Sequence, residues 1–488
     1  MRFTFHQQQR KNMNVMKKSP NQRISACLIV KDEEELLPKC LKSIKNAVDE
    51  IIIVDTGSID NTVTIAKNFG AKVYYHSWND SFSEARNHCL KYASGDWILQ
   101  IDADEELEQA DIIKLKSAIN NANYNAIAVA IHSTIKDNYH TFYNIRIFRR
   151  GKGFYRDIIH EQVVIEGNRL STEIRFYHHG YNLDENKMKK KWQKTTRLLQ
   201  KQIEQNKFNS FAWFNLIRNY RTQELFNDGI ISGEKALTIF IPCTCTKHPG
   251  MSISMHHYAM ITYETANCYL HRAVTAKAKK LCYNALSKLK AEGSAPEKID
   301  LIFTLACAYL KEGSYHKAIE YFTRFLYLRE WQLNNMDTNS FMTDTLGYDY
   351  AAHNGIGYCL GNLGQWNIAI NHLEKAIALN PRYRNAYDNL ALCFKSTGDL
   401  NNAIRTLLKT VSEDIADDTV WLHLGELQIK QNAYEKAIPY FEKYLKEHPA
   451  DKNVLLEIAW CYEKLGHLEA AMIGYRSAEV FKESISSK

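Results

Sequence analysis

From Ile24 to about Tyr177, short apolar runs alternate with stretches whose apolar residues recur every three or four positions. Ser25–Val30 (SACLIV) reads as a strand, and Leu36, Leu37, Cys40, Leu41, Ile44 and Val48 then line one face of a helix. Asp32 can cap that helix, with Glu35 three residues on at capping-box spacing. Ile51–Val54 is a second strand, Asn61–Phe69 a helix stopped by Gly70, and Lys72–Tyr75 a third strand. Phe82–Tyr92 reads as a helix, and Trp97–Ile101 as a fourth strand behind Gly95. Ala126–Ile131 and Tyr143–Phe148 are further strands. This β-α-β order predicts an α/β, Rossmann-like domain, its sheet mostly parallel and covered by helices on both faces.

From Ser210 the strand pattern stops and a 34-residue period begins, the signature of tetratricopeptide helix pairs. Ala391, Gly425 and Ala459 share a small-residue position; Gly398, Asn432 and Gly466 mark the turn; Ala403, Ala437 and Ala471 hold the next small site. His353, Gly357, Gly364, Ala369 and Pro381 extend the register one repeat back. Trp213–Tyr220, Ala266–Ala285 and Ala306–Phe322 are weaker copies, and Trp331–Gly347 is an insertion. About seven repeats form an all-α solenoid. The predicted organisation is a basic disordered tail (1–22), an α/β domain (23–182), a Lys-rich helical linker (183–209) and the repeats (210–488).

Six basic residues (Arg2, Arg10, Lys11, Lys17, Lys18 and Arg23) and no acid precede the first strand, so they account for nearly all of the +7 net charge. The body is close to neutral, which argues against nucleic-acid binding. Such a tail is compatible with a weak contact to anionic membrane. No apolar run reaches the roughly 20 residues that span a bilayer, and no apolar core follows the basic N-terminus as in a secretory signal. The 11 cysteines are scattered, which fits a reducing, cytoplasmic setting. Cys268, Cys359, Cys393 and Cys461 share one repeat position and read as core; Cys243, Cys245 and His248 could hold a metal, but only one such cluster exists.

The tract GDWILQIDADEEL (Gly95–Leu107) carries the chemistry. Asp102 and Asp104 stand where the fourth strand stops, and ligands bind outside the carboxyl ends of strands in open α/β sheets. Two carboxylates one residue apart suit Mg²⁺ or Mn²⁺ carrying a substrate phosphate. Asp32 and Asp55 end the first two strands, so the three strand-end aspartates can surround one nucleotide. Taken alone, each is an ordinary turn residue. Neither G-x-x-x-x-G-K-[ST] nor G-x-G-x-x-G occurs, which disfavours a P-loop ATPase and a dinucleotide enzyme, and no Ser or Cys lies in a recognisable nucleophile motif.

The runs SACLIVKDEEELLPKCLKSI, EIIIVDTGSIDNT and WNDSFSEARNHCLKYASGDWILQIDADEEL resemble, in order and spacing, family 2 glycosyltransferases of the GT-A fold over about residues 24–180. The resemblance implies a nucleotide-sugar donor, usually a UDP-sugar, a divalent metal, and inversion by single displacement. It places Val30, Asp32, Glu33, Asp55, Arg86 and Asp102 around the donor, with Asp55 on the nucleoside and Asp102 and Asp104 on the sugar nucleotide and metal. Asp32 departs from the pattern, since Asn is commoner there. NIRIFR (Asn144–Arg149), Ile159–Glu161 and FYHHGY (Phe176–Tyr181) resemble the peptide S-glycosyltransferases of bacteriocin precursors, which also join a GT-A domain to tetratricopeptide repeats and are often dimeric. By that resemblance His178 completes the metal or diphosphate site and His160 and Glu161 lie by the acceptor. Glu161 is the candidate general base, with Asp157 in reserve. A neutral imidazole ligates Mn²⁺ more readily than Mg²⁺. Arg146, Arg149 and Arg150 either contact phosphate or solubilise a strand edge.

Three functions compete. The first is transfer of a sugar to a peptide or protein Cys or Ser/Thr held in the repeat groove. The second is transfer to a lipid-linked or cell-envelope glycan. The third is a repeat scaffold with an inactive transferase domain.

Overall fold

The computed structural model describes residues 22–135, 138–179, 185–242, 252–253, 255–291, 298–334 and 345–486. Residues 1–21 of the basic tail, Cys243, Cys245, His248 and Tyr181 lie outside the described residues. The chain forms two compact units, one reaching to Phe240 and the other running from Ser252, with 241–251 divided between them.

The first unit contains β1 (Ile24–Val30), α1 (Leu37–Ile44), β2 (Glu50–Asp55), α2 (Thr62–Asn68), β3 (Lys72–Tyr75), α3 (Phe82–Leu90), β4 (Trp97–Gln100), β5 (Glu105–Leu107), α4 (Ile112–Ile119), β6 (Ala126–Ile135), β7 (Asn138–Arg149), β8 (Gly153–Arg156), β9 (Gln162–Ile165) and β10 (Arg169–His178). Helices α5 (Glu185–Gln205), α6 (Ser210–Thr222) and α7 (Phe226–Ile239) follow. Eight strands form one sheet in the order β3-β2-β1-β4-β7-β6-β10-β5. The first four are parallel, β7 is antiparallel to both neighbours, β6 and β10 are parallel, and β5 closes the edge antiparallel to β10. Strands β1, β2 and β4 are apolar along both faces. Leu28, Ile53 and Leu99 pack on one side, Cys27, Ile52, Val54 and Ile98 on the other. That two-sided burial explains why they read as continuous apolar runs.

The strands predicted by pattern are present, and β5, β8, β9 and β10 are additional. The predicted Asp32 cap is not. Helix α1 begins five residues later, its N-cap residue Leu36 makes no side-chain cap bond, and Pro38 supplies a preset φ in the first turn. The Lys-rich segment is helical as expected, but α5 buries Leu198 and Leu199 in the first unit, and α6 buries Trp213 and Phe214 there. A boundary at 182 or 209 therefore cuts through this unit's interior.

The second unit pairs α8 (Met255–His271) with α9 (Thr275–Ala291), α10 (Ile299–Lys311) with α11 (Tyr315–Asn334), and α12 (Asp349–Asn362) with α13 (Trp366–Leu379). Next come α14 (Arg384–Thr397) with α15 (Leu400–Ser412), α16 (Thr419–Lys430) with α17 (Tyr434–Leu445), and α18 (Lys452–Lys464) with α19 (Leu468–Ser486). The small-residue register has a steric cause. A Cβ on Gly425 would lie 2.4 Å from the Phe441 ring, and one on Gly357 2.6 Å from Leu373. Gly364, Gly398, Asn432 and Gly466, at the 34-residue spacing, all turn through positive φ. Cys268, Cys359, Cys393 and Cys461 are buried. Among the described residues no helix is long and apolar enough to cross a membrane.

Candidate functional site

Because β1, β2 and β4 are parallel and adjacent, their carboxyl ends share one rim, with Val30 beside Asp55. The loops after β1 and β2 are laced together by polar groups. Asp32 adopts a left-handed φ of 54°; its carboxylate accepts from Ile59 N–H at 2.8 Å, and its own N–H donates to Ser58 Oγ at 3.0 Å. Glu33 N–H donates to Thr62 Oγ1 at 2.7 Å. Asp55 is buried and accepts the N–H groups of Gly57 at 3.1 Å and Ser58 at 3.2 Å, so its carboxylate folds its own turn. The Val30 side chain is core, while its carbonyl accepts from Thr56 N–H at 3.0 Å.

Beside this rim runs a chain of alternating charges. Arg86, on α3, donates through Nε to Glu161 Oε1 at 2.5 Å and through Nη2 to Asp102 Oδ1 at 2.7 Å. Arg146, on β7, lies 3.3 Å from Asp102 Oδ2, 2.5 Å from Glu105 Oε1 and 2.5 Å from Gln100 Oε1. The β4·β7 register, Leu99 opposite Ile147, places Gln100 and Arg146 opposite one another one step on. Burial pushes the Asp102 carboxyl up, but the two guanidiniums outweigh it and hold the group well below the ordinary Asp range. Glu105 goes the other way, since full burial and the nearby Asp102 charge raise it despite Arg146. Of the three arginines left open between phosphate and strand edge, Arg146 is interior. Arg149 lies over the Trp97 ring at 4.5 Å, and Arg150 donates to Gly95 O at 2.8 Å.

Asp104 meets His178 instead. Strand β5 pairs antiparallel with β10, Glu105 opposite His178, which brings His178 Nε2 to 3.3 Å from Asp104 Oδ2. Burial lowers the His178 pKa, but Asp104's hydrogen bond and charge raise it above the usual value overall. Glu33 is pushed up to about 7 by burial and by the charges of Asp104 and Asp102. The expected triad of Asp102, Asp104 and His178 does not converge, and among the described residues no three His, Cys, Asp or Glu side chains gather closely enough to hold a metal. The reason is that Arg86 and Arg146 occupy both Asp102 oxygens. Asp104 and His178 do fit a cation, because two donors on neighbouring octahedral positions at about 2.1 Å stand about 3 Å apart, and Mg²⁺-type sites take few protein ligands and complete the shell with phosphate and water.

Glu161 joins the chain through Arg86, whereas Asp157 and His160 do not. Asp157 (φ 75°) accepts from Asn209 Nδ2 at 2.7 Å, and burial raises its pKa. His160 (φ 51°) is exposed. The residues missed from sequence are Gln100, Glu105 and the interior role of Arg146. A lone Gln closing an apolar strand, and an Arg between two inward Ile residues, were the available signals.

Residues 25–215 match the family described as glycosyl transferase family 2, and residues 299–330, 350–383 and 428–474 match tetratricopeptide repeats. The chain is 30% identical over 195 residues to the SPbeta prophage-derived glycosyltransferase SunS of Bacillus subtilis, covering 38% of this chain and 46% of that protein. It is 47% identical over 112 residues to a TPR repeat-containing protein of Synechococcus elongatus (23% and 28% covered), and 42% over 99 residues to an uncharacterised glycosyltransferase of Rickettsia conorii (19% and 33%). The chain spans under half the length of each. Among solved structures, a tetratricopeptide repeat protein from Parabacteroides merdae aligns at 15% identity and a TM-score of 0.36, covering 56% of this chain and 96% of that one. The chain thus carries a family 2 glycosyltransferase domain of GT-A type joined to tetratricopeptide repeats.

Proposed function

We propose that the first unit transfers a sugar from a UDP-sugar to a cysteine thiol, or a serine or threonine hydroxyl, of a peptide, with inversion at the anomeric carbon. The observation that carries this reading is the chain Glu161–Arg86–Asp102–Arg146–Glu105, set beside the strand-end rim of a family 2 domain. The donor's nucleoside lies against the laced loops of Asp32, Glu33 and Asp55, where Gly57 lets backbone approach closely. Arg86 and Arg146 face the negative charge that grows on the diphosphate as its bond to the sugar breaks. Glu161, oriented by Arg86, accepts the proton of the incoming thiol or hydroxyl as the new bond to the anomeric carbon forms. A thiol with pKa near 8.5 needs modest help from that base. When bound by Asp104 and His178, Mn²⁺ or Mg²⁺ supplies further charge to offset the departing diphosphate. The repeats supply a long surface suited to a polypeptide acceptor.

The test is incubation of the full chain with UDP-sugars, Mn²⁺ and candidate peptides from neighbouring genes, read by intact mass. The expected result is one sugar mass added by wild type and at least a hundredfold less by Asp102→Ala/Asp104→Ala. Undiminished transfer by that double variant would overturn the reading.

A further inference from the structure

The segment that carries Glu161 is held from outside the sheet. Residues 157–161 contain two non-glycine left-handed conformations, at Asp157 and His160, of a kind that persists only where the surroundings impose it. Three groups impose them here. Phe82 N–H, at the start of the helix bearing Arg86, donates to Ile158 O at 2.8 Å. Asn209 caps α6 through Oδ1, accepting from Ala212 N–H at 3.0 Å, while its Nδ2 donates to Asp157 at 2.7 Å. Gln202 on α5 does most, its Oε1 accepting both Ile158 N–H at 2.8 Å and Ile159 N–H at 3.1 Å.

Gln202 is 4% exposed, and its Nε2 has no hydrogen-bond partner among the described residues. A buried amide using only its oxygen, and using it twice on consecutive backbone N–H groups, acts as an acceptor for that backbone. Two residues further along, Glu161 meets Arg86. We propose that Gln202 is a positioning residue for Glu161, fixing the 158–159 backbone so that the carboxylate stands against Arg86 at the acceptor side. This rests on the transferase reading above, in which Glu161 takes the acceptor's proton.

The test compares full-length wild type with Gln202→Met, which keeps length without the acceptor, and Gln202→Glu, which keeps an acceptor oxygen in either protonation state. Two measurements are made: amide hydrogen exchange over 157–161, and turnover of UDP-glucose, UDP-galactose and UDP-N-acetylglucosamine with Mn²⁺ and a peptide acceptor containing cysteine, serine and threonine. In Gln202→Met, exchange at 158–159 should rise at least about tenfold while β1 and β4 stay protected. Misplacing a reacting group by about 1 Å costs on the order of a hundredfold, so kcat should fall roughly ten- to a hundredfold with donor KM changed less than about twofold. Gln202→Glu should restore most of both. Unchanged exchange in Gln202→Met, or faster exchange with wild-type kcat, overturns the proposal. If wild type turns over none of the donors, the transferase reading falls and the role of Glu161 with it; the exchange data then show separately whether Gln202 holds the backbone.

Discussion

Arg146 separates what residue types reveal from what they hide. The alternation N-I-R-I-F-R placed it on a strand, but an arginine on a strand is as readily a solvated edge as a ligand. Only the neighbour relation decides: β7 lies between β4 and β6, so the residue is interior and confronts Asp102 and Glu105. Breaking a buried ion pair from one side strands the other charge. Arg146→Met should therefore lower stability by about 3–5 kcal/mol in urea titration, most of it recovered by adding Glu105→Gln, which removes the stranded charge. Equal losses in the single and double variants would refute the pairing. Arg86 makes a sharper case, because a guanidinium reaches two carboxylates at once and an ammonium is a point charge. Arg86→Lys should keep the fold yet cut sugar transfer at least about thirtyfold, measured as product formed per folded protein.

At the scale of elements, β1 through β4 were legible because burial on both faces leaves an apolar run that no polar alternation disguises. Strands β5 and β10 were not, since Glu105–Leu107 looks like the tail of an acidic turn and Arg169–His178 alternates weakly, with a register shift between Ser171 and Arg175. Yet these two bring His178 to Asp104. The parallel half has a fastener that titrates. Glu50 on β2 accepts from Ser25 Oγ on β1 at 2.6 Å, from Lys72 Nζ on β3 at 2.9 Å, and from Ser94 N–H and Oγ ahead of β4 at 2.7 and 2.8 Å. Burial pushes this carboxyl up, but the hydrogen bonds from Ser25, Lys72 and Ser94 outweigh it and hold it at about 2, against 4.5 when free. A depressed carboxylate contributes stability that is present above its unfolded pKa and lost as pH falls through its folded one. Between pH 4.5 and about 2, wild type should lose about 2 kcal/mol more than Glu50→Gln, after allowing for solvent screening at the exposed Lys72. Parallel stability–pH curves for the two proteins would dismiss the fastener. In the repeats, Gly425→Ala drives a methyl into Phe441, and overpacking of this kind costs about 1–3 kcal/mol, read as a lowered melting temperature of the second unit.

For the molecule as a whole, the change of period near Ser210 located the repeats but misplaced the division between compact units, and the cause is physical. Periodicity reports the local helix pair, whereas a unit is defined by what its apolar faces bury. Helices α5 and α6 have repeat-like or linker-like sequences, but Leu198, Leu199, Trp213 and Phe214 are interior to the first unit, and Gln202 and Asn209 complete the backbone around residues 157–159. Ending the chain after Asn182 therefore removes core and leaves the Ile158 and Ile159 N–H groups without their acceptor, each unsatisfied donor costing about 1–3 kcal/mol. Ending it after Phe240 removes neither. A chain of residues 1–240 should unfold in a single cooperative transition and elute as a compact species. Residues 1–182 should lack that transition, or melt at least about 10 °C lower, and aggregate. Folding of the shorter chain with the stability of the longer would mean that the helices after Asn182 are passengers, and the sequence-drawn boundary would then be the right one for this unit.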